Sequence, residues 1–182
     1  MKSNLIIIFL IMFSFFNNVH AENGKLAYDF NFEGIEGNKL DLKEYKNKVI
    51  LVVNVASRCG FTNQYKDLQS LWTKYQNKDL IIIGVPTNNF RQEPGTNKEI
   101  KDFCETNFGI GFPLTQKVDV LGKNAHPFYK WAKLSFGMSA IPKWNFHKIV
   151  INKKGNISNT FASVTNPSST KFINFIEKEL KN

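Results

Sequence analysis

Two runs of nearly uninterrupted apolar residues, Val49 to Ala56 and Asp79 to Val85, stand on either side of the segment Thr62 to Tyr75. A strand with one wet face alternates polar and apolar residues, so runs without that alternation belong to strands buried on both faces. Between them Tyr65, Leu68, Leu71, Trp72 and Tyr75 recur at three- and four-residue steps, the spacing of one apolar helix face. Two such strands joined by a helix are parallel, and this crossover is right-handed almost without exception. Val49 to Ala56 is therefore expected to be a central strand.

The flanking sequence extends this unit in both directions. Tyr28 to Asn31, the glycine-punctuated stretch Glu33 to Asn38 and Lys39 to Leu42 read as an N-terminal β-hairpin. Beyond Pro86, Thr96 to Phe108 has helical spacing through Ile100, Phe103 and Cys104, and opens with Thr96-x-x-Glu99, a capping box. His126-Pro127-Phe128 has the form of a helix start. Phe146 to Ile151 and Asn156 to Ala162 read as a second hairpin around Asn152 to Gly155, and Pro167 to Leu180 as a closing helix through Phe172, Phe175, Ile176 and Leu180. A βαβ unit followed by a ββα unit is the thioredoxin-like order. The expected fold is α/β, with a central mixed sheet flanked by helices and an N-terminal β-hairpin. The chain of 182 residues suits one domain, and 42% hydrophobic residues with 14% aromatics suffice for a core.

Residues 1–21 are expected to lie outside that domain, which would span 22–182. Lys2, the apolar run Leu5 to Phe16 and Val19-His20-Ala21 have the three parts of a secretory signal. As a helix the run would rise about 18 Å, short of the roughly 30 Å hydrocarbon core. Export, to a periplasm or out of the cell, is the resulting expectation. The remaining chain carries a net charge of about +8, spread over lysines with Arg58 and Arg91 as the only arginines. Nucleic-acid surfaces cluster arginine and lysine among aromatics, so no nucleic-acid partner is expected. His126 and His147 have no second ligand near them in sequence, and neither a metal nor another cofactor is expected.

Cys59 and Cys104 carry the chemistry. In an oxidising compartment a structural disulfide is the default. Cys59, however, falls between a buried strand and a helix, where backbone N–H groups and Arg58 favour a thiolate, and Gly60 keeps the neighbouring backbone open to a small substrate. The C-x-x-C of a disulfide exchanger is missing, because Thr62 stands where its second cysteine would be.

Three segments in order then carry a resemblance. Asn54-Val55-Ala56-Ser57-Arg58-Cys59-Gly60-Phe61-Thr62 resembles the segment of glutathione peroxidases that holds the catalytic selenocysteine or cysteine. Val85-Pro86-Thr87-Asn88-Asn89-Phe90-Arg91-Gln92-Glu93-Pro94-Gly95 is similar to the family's F-P-C-N-Q-F-x-x-Q-E-P-G, one residue shorter between Phe90 and Gln92, and Lys143-Trp144-Asn145-Phe146 is similar to its W-N-F. The resemblance implies that Cys59 is the peroxidatic residue, with Trp144, Asn145 and Asn89 as hydrogen-bonding partners. Asn89 stands where the family has its catalytic glutamine, and Gln92 is the alternative. It also implies that Cys104 resolves the oxidised sulfur, as in members that use thioredoxin. Glu93-Pro94-Gly95 on its own reads as a turn.

The function that this resemblance implies is that of a thiol peroxidase. Cys59 would reduce hydrogen peroxide or an organic hydroperoxide, become a sulfenic acid and condense with Cys104; a thioredoxin-like protein or glutathione would restore it. The passage from Gly122 to Lys143 without a long insertion points to a monomer or weak dimer. Two other readings use the same residues: a non-enzymatic redox sensor, and a thioredoxin-type disulfide exchanger.

Overall fold

The computed structural model describes residues 24–182; the export signal expected at residues 1–21 lies outside the described residues. In chain order the elements are β1 (Asn31–Glu33), β2 (Lys39–Asp41), β3 (Val49–Val55), α1 (Gln64–Tyr75), β4 (Leu80–Pro86), α2 (Asn97–Phe108), α3 (Pro127–Phe136), β5 (Lys148–Ile151), β6 (Ile157–Phe161) and α4 (Thr170–Lys181). Strands β1 and β2 form the N-terminal hairpin. The main sheet has the order β4-β3-β5-β6, with β3 parallel to β4 and antiparallel to β5, and β5 antiparallel to β6.

Every residue of β3 and β4 is buried, as their unbroken apolar runs require. Successive side chains point to opposite faces of a strand. Val49, Leu51, Val53 and Val55 accordingly join one core with Leu68 and Leu71 of α1, Ile100 of α2 and Phe172 and Ile176 of α4. Ile50 and Val52 enter a second core with Phe32, Leu40 and Phe128, Trp131 and Ala132 of α3. Each fully buried valine, leucine or isoleucine stabilises by roughly 1.5–3 kcal/mol, so β3 ties both layers together. Gly84 of β4 is fixed by close approach: a Cβ there would lie 2.6 Å from Leu114, whose segment bonds to β4 through Gly84 N–H to Pro113 O and Thr115 N–H to Gly84 O.

Element ends depart from the sequence expectation where local bonding intervenes. Helix α1 begins at Gln64 because residues 59–66 first pass through successive turns, Thr62 N–H to Cys59 O and Gln64 N–H to Phe61 O among them. Helix α4 begins at Thr170 because the Asn166 side chain accepts Ser168 N–H at 2.7 Å and holds the preceding residues in a turn. Strand β5 begins at Lys148, since the buried Phe146 has φ +63°, outside the extended region.

Lys148 is fully buried, with Nζ donating to Gln64 Oε1 (2.5 Å), Thr165 O (2.6 Å) and Ser163 O (3.5 Å). Burial pushes its pKa down to about 7. This side chain ties the first residue of α1 to the loop after β6, and so helps to set where the Cys59 turn meets the helix.

Candidate active site

Cys59 lies in the turn between β3 and α1, at the carboxyl end of a central strand, where open α/β sheets place their sites. Its sulfur accepts Phe61 N–H at 3.4 Å, and its residue is 9% exposed. Thr62 braces the turn: Oγ1 accepts Cys59 N–H and donates to Ala56 O, both at 3.0 Å. The start of α1 lies further from Cys59 than the sequence suggests, so the N–H group that meets the sulfur belongs to the turn and not to the helix.

Two other segments meet this turn. Thr87 N–H donates to Val55 O, which brings the loop after β4 alongside, and Arg58 N–H donates to Gln92 O at 3.0 Å. Asn54, at the end of β3, accepts Phe146 N–H on its carbonyl and donates from Nδ2 to Trp144 O, fixing residues 144–146. Asn145 is fully buried and donates from Nδ2 to Gln92 Oε1 at 2.9 Å; its Oδ1 is buried without a partner among the described residues. Trp144 is 41% exposed, with its ring tilted against Phe90 at 5.4 Å between centroids.

The structure gives Asn89 a different setting from the one expected. Its Oδ1 accepts Val120 N–H (2.6 Å), Leu121 N–H (3.1 Å) and Thr87 Oγ1–H (3.1 Å), and its Nδ2 donates to Asp119 Oδ1 (2.8 Å), so both ends of the amide are taken up by residues 119–121 and its own loop. The amide that meets Asn145 belongs to Gln92. The reason lies in the shortened loop: Arg91 adopts φ +58° and closes a tight turn on Asn88 O, which carries Gln92 to the Cys59 turn. Gln92 is the alternative that the sequence offers, and the missing residue after Phe90 is its signal.

Cys104 is completely buried on α2, in the same core as Cys59, and both are free thiols. Burial pushes the Cys104 thiol up to about 11, so it stays protonated in this conformation. Its neighbour Tyr65 is also fully buried, and its phenol is raised well above the ordinary range by burial first and by Cys104 next. The residue that sequence reasoning misses is Glu93. Its carboxylate is buried and accepts both Ser57 N–H (2.8 Å) and Ser57 Oγ–H (3.0 Å), two positions before Cys59. A turn sequence with a glutamate at its start gives no sign of this.

Comparison with known proteins identifies the family. The sequence profile of the family described as glutathione peroxidase matches residues 27–133, a stretch that includes Cys59, Gln92 and Cys104. The chain is 43% identical over 147 residues to glutathione peroxidase-like peroxiredoxin 2 of Saccharomyces cerevisiae, covering 78% of this chain and 90% of that one. It is 38% identical over 156 residues to the hydroperoxy fatty acid reductase gpx1 of Synechocystis, covering 81% and 92%. Among solved structures, Trgpx in its apo form superposes with a TM-score of 0.70 at 34% identity, covering 87% of this chain and 97% of that one. A thiol:disulfide interchange protein of the thioredoxin family from Chlorobium tepidum superposes at 0.63 with 16% identity, covering 83% and 92%, a likeness of fold that makes this chain thioredoxin-like in architecture. The cysteine after a central strand, the amide pair tied to its turn and these matches lead to one conclusion: the chain belongs to the glutathione peroxidase family, as a thiol peroxidase.

Proposed function

We propose that Cys59 reduces hydrogen peroxide or an organic hydroperoxide, that Cys104 resolves the product as an intramolecular disulfide, and that a thioredoxin-like protein or glutathione recycles the enzyme. The observation that carries the reading is the Cys59 sulfur held by a backbone N–H in a turn whose Arg58 N–H is bound by Gln92, the residue that also holds the Asn145 amide. The sulfur attacks the terminal peroxide oxygen; the O–O bond breaks, and the departing oxygen takes up a proton as water or alcohol. In this reading Asn145 and the half-exposed Trp144 donate to charge on sulfur or on that oxygen, and Gln92, which accepts from the Asn145 amide, fixes its orientation. Gln92 thus takes the part expected of Asn89.

In the second step the Cys104 sulfur attacks the sulfenic sulfur of Cys59, and the hydroxyl leaves as water with the proton of the Cys104 thiol. A thiol buried in the middle of α2 and raised to about 11 attacks slowly, so α2 opens locally around Cys104 before the bond forms. Organic hydroperoxides enter the reading through the Synechocystis relative, whose name states that it reduces hydroperoxy fatty acids. The proposal extends to export, from the pattern of residues 1–21, and to a monomer or weak dimer.

The test is peroxide consumption by the mature chain with thioredoxin and its reductase, or with glutathione and its reductase, for wild type and Cys104→Ser. Loss of the thioredoxin-driven reaction with part of the glutathione-driven one kept supports the two-cysteine cycle. Full thioredoxin-driven turnover by Cys104→Ser rules out Cys104 as the resolving residue.

A further inference from the structure

A carboxylate removed from water is costly unless its lone pairs are filled. Glu93 is 1% exposed, and the two donors its side chain receives both come from Ser57. Burial pushes its carboxyl upward, against the two Ser57 hydrogen bonds and the cations Lys117 and Arg58, which pull it down. Tyr65 of α1 and Cys104 of α2 also lie within the field of its charge. Its backbone is held as firmly as its side chain: Lys117 Nζ donates to Glu93 O (3.3 Å) and Gly95 O (2.6 Å), and Glu93 N–H donates to Asn88 Oδ1 (3.0 Å).

Packing does only part of this work for the Cys59 turn: Ala56 and Cys59 join the core, but Ser57, Arg58 and Gly60 of the same turn are not buried. A cavity of about 350 Å³ opens beside it, lined by Ser57, Arg58, Glu93, Pro94 and Phe103 among others. Next to the cysteine in sequence, a Cβ placed on Gly60 would meet nothing within 4 Å. Hydrogen bonds do the rest: Thr62 at its far end, and Gln92 O with the Glu93 carboxylate at its near end.

We propose that Glu93 is a positioning residue for the peroxide reaction: its carboxylate fixes the Ser57–Arg58 turn, and through it the place of the Cys59 sulfur relative to the Asn145 amide. This rests on Cys59 being the peroxidatic residue. A displacement of about 1 Å at a reacting atom costs on the order of 100-fold in rate. Both Ser57 donors meet one carboxylate oxygen, so Glu93→Gln keeps an acceptor for them but removes the charge that strengthens both bonds, and its loss falls at about 10-fold.

The experiment measures two second-order rate constants for Cys59 at one pH, oxidation by hydrogen peroxide and alkylation by iodoacetamide. The variants are wild type, Glu93→Gln, Ser57→Ala and the double variant, with folding checked by far-ultraviolet circular dichroism. The expected result is a fall of about 10-fold or more in the peroxide reaction of Glu93→Gln, alkylation within about threefold of wild type, and a double variant that falls by less than the product of the singles. Alkylation needs the sulfur but not its alignment with Asn145, so a general loss of structure moves both rates together. Peroxide and alkylation rates that fall in step, an unchanged peroxide rate in Glu93→Gln, or singles that multiply overturn the proposal. If Glu93→Gln does not fold, Ser57→Ala decides: an unchanged peroxide rate overturns it, and a selective fall upholds it. A wild type whose Cys59 is not oxidised removes the peroxidatic reading, and this proposal with it.

Discussion

Replacing Asn89 and Gln92 separately by alanine should split stability from reactivity. Asn89→Ala removes the acceptor of Val120 N–H and Leu121 N–H and the donor to Asp119, and leaves the N–H of Val120, a residue 3% exposed, without a partner. A typical hydrogen bond contributes about 1 kcal/mol net and an orphaned buried donor costs about 1–3 kcal/mol, which places the loss at about 2–4 kcal/mol. For a domain of this size each kcal/mol lowers Tm by about 2–4 °C, so Asn89→Ala should melt roughly 5–15 °C below wild type. Its peroxide reaction should stay within about threefold, because its amide faces residues 119–121 and not the Cys59 turn. Gln92→Ala leaves Nδ2 of the fully buried Asn145 without an acceptor and should also lose about 1–3 kcal/mol, but only this variant frees the Asn145 amide to rotate and slows Cys59 oxidation, by about tenfold or more. Thermal melts and single-turnover oxidation with hydrogen peroxide, followed by stopped-flow fluorescence, measure both quantities. An Asn89→Ala variant that keeps its Tm but loses the peroxide reaction, beside a Gln92→Ala variant at wild-type rate, would refute the assignment and restore Asn89 to the site.

Single contacts elsewhere lead to further outcomes. Thr62→Val keeps the shape of the side chain but strands Cys59 N–H and Ala56 O; a loss of about 1–3 kcal/mol in chemical denaturation is expected, and an unchanged midpoint would contradict the bracing role. His147 is held neutral by burial, with its pKa lowered from 6.5 to about 4, and its Nε2 is buried without a partner among the described residues. The unfolded chain therefore binds the extra proton between pH 6.5 and 4: stability is fully present above 6.5 and is lost as pH falls towards 4, by about 3 kcal/mol. His147→Gln should flatten that acid slope in urea titrations, and a slope identical to wild type would place the titration elsewhere. Lys148→Met removes three donor contacts from the start of α1 and the loop after β6, and should lower Tm by roughly 5–15 °C; a melt within about 2 °C of wild type would show that these contacts contribute nothing net.

What the sequence makes legible is what depends on short-range pattern. The buried strands β3 and β4 arise from runs of β-branched residues, and α1 from the spacing of Tyr65, Leu68 and Leu71. The capping box forms between Thr96 and Glu99 at the start of α2. Cys59 is legible because the end of a buried strand is a place for chemistry and because the surrounding segment resembles a known one. The rest depends on backbone torsions and long-range partners, which no local window of sequence reveals. Arg91 at positive φ brings Gln92 instead of Asn89 to Asn145, and Phe146 at positive φ moves the start of β5 from Phe146 to Lys148. Lys148 reads as a solvated lysine until its three acceptors, all distant in sequence, are known. Glu93 reads as a turn residue for the same reason, since Ser57 lies 36 positions away.

The central claim, that Cys59 is the sulfur that meets peroxide, is tested most directly by intact-mass analysis of residues 22–182 after one equivalent of hydrogen peroxide, with and without dimedone. The expected result is a dimedone adduct on Cys59 in Cys104→Ser, an intramolecular disulfide in wild type, and neither product in Cys59→Ser. A Cys59→Ser chain that consumes peroxide as fast as wild type, or an adduct found on Cys104 with Cys59 unmodified, would contradict it.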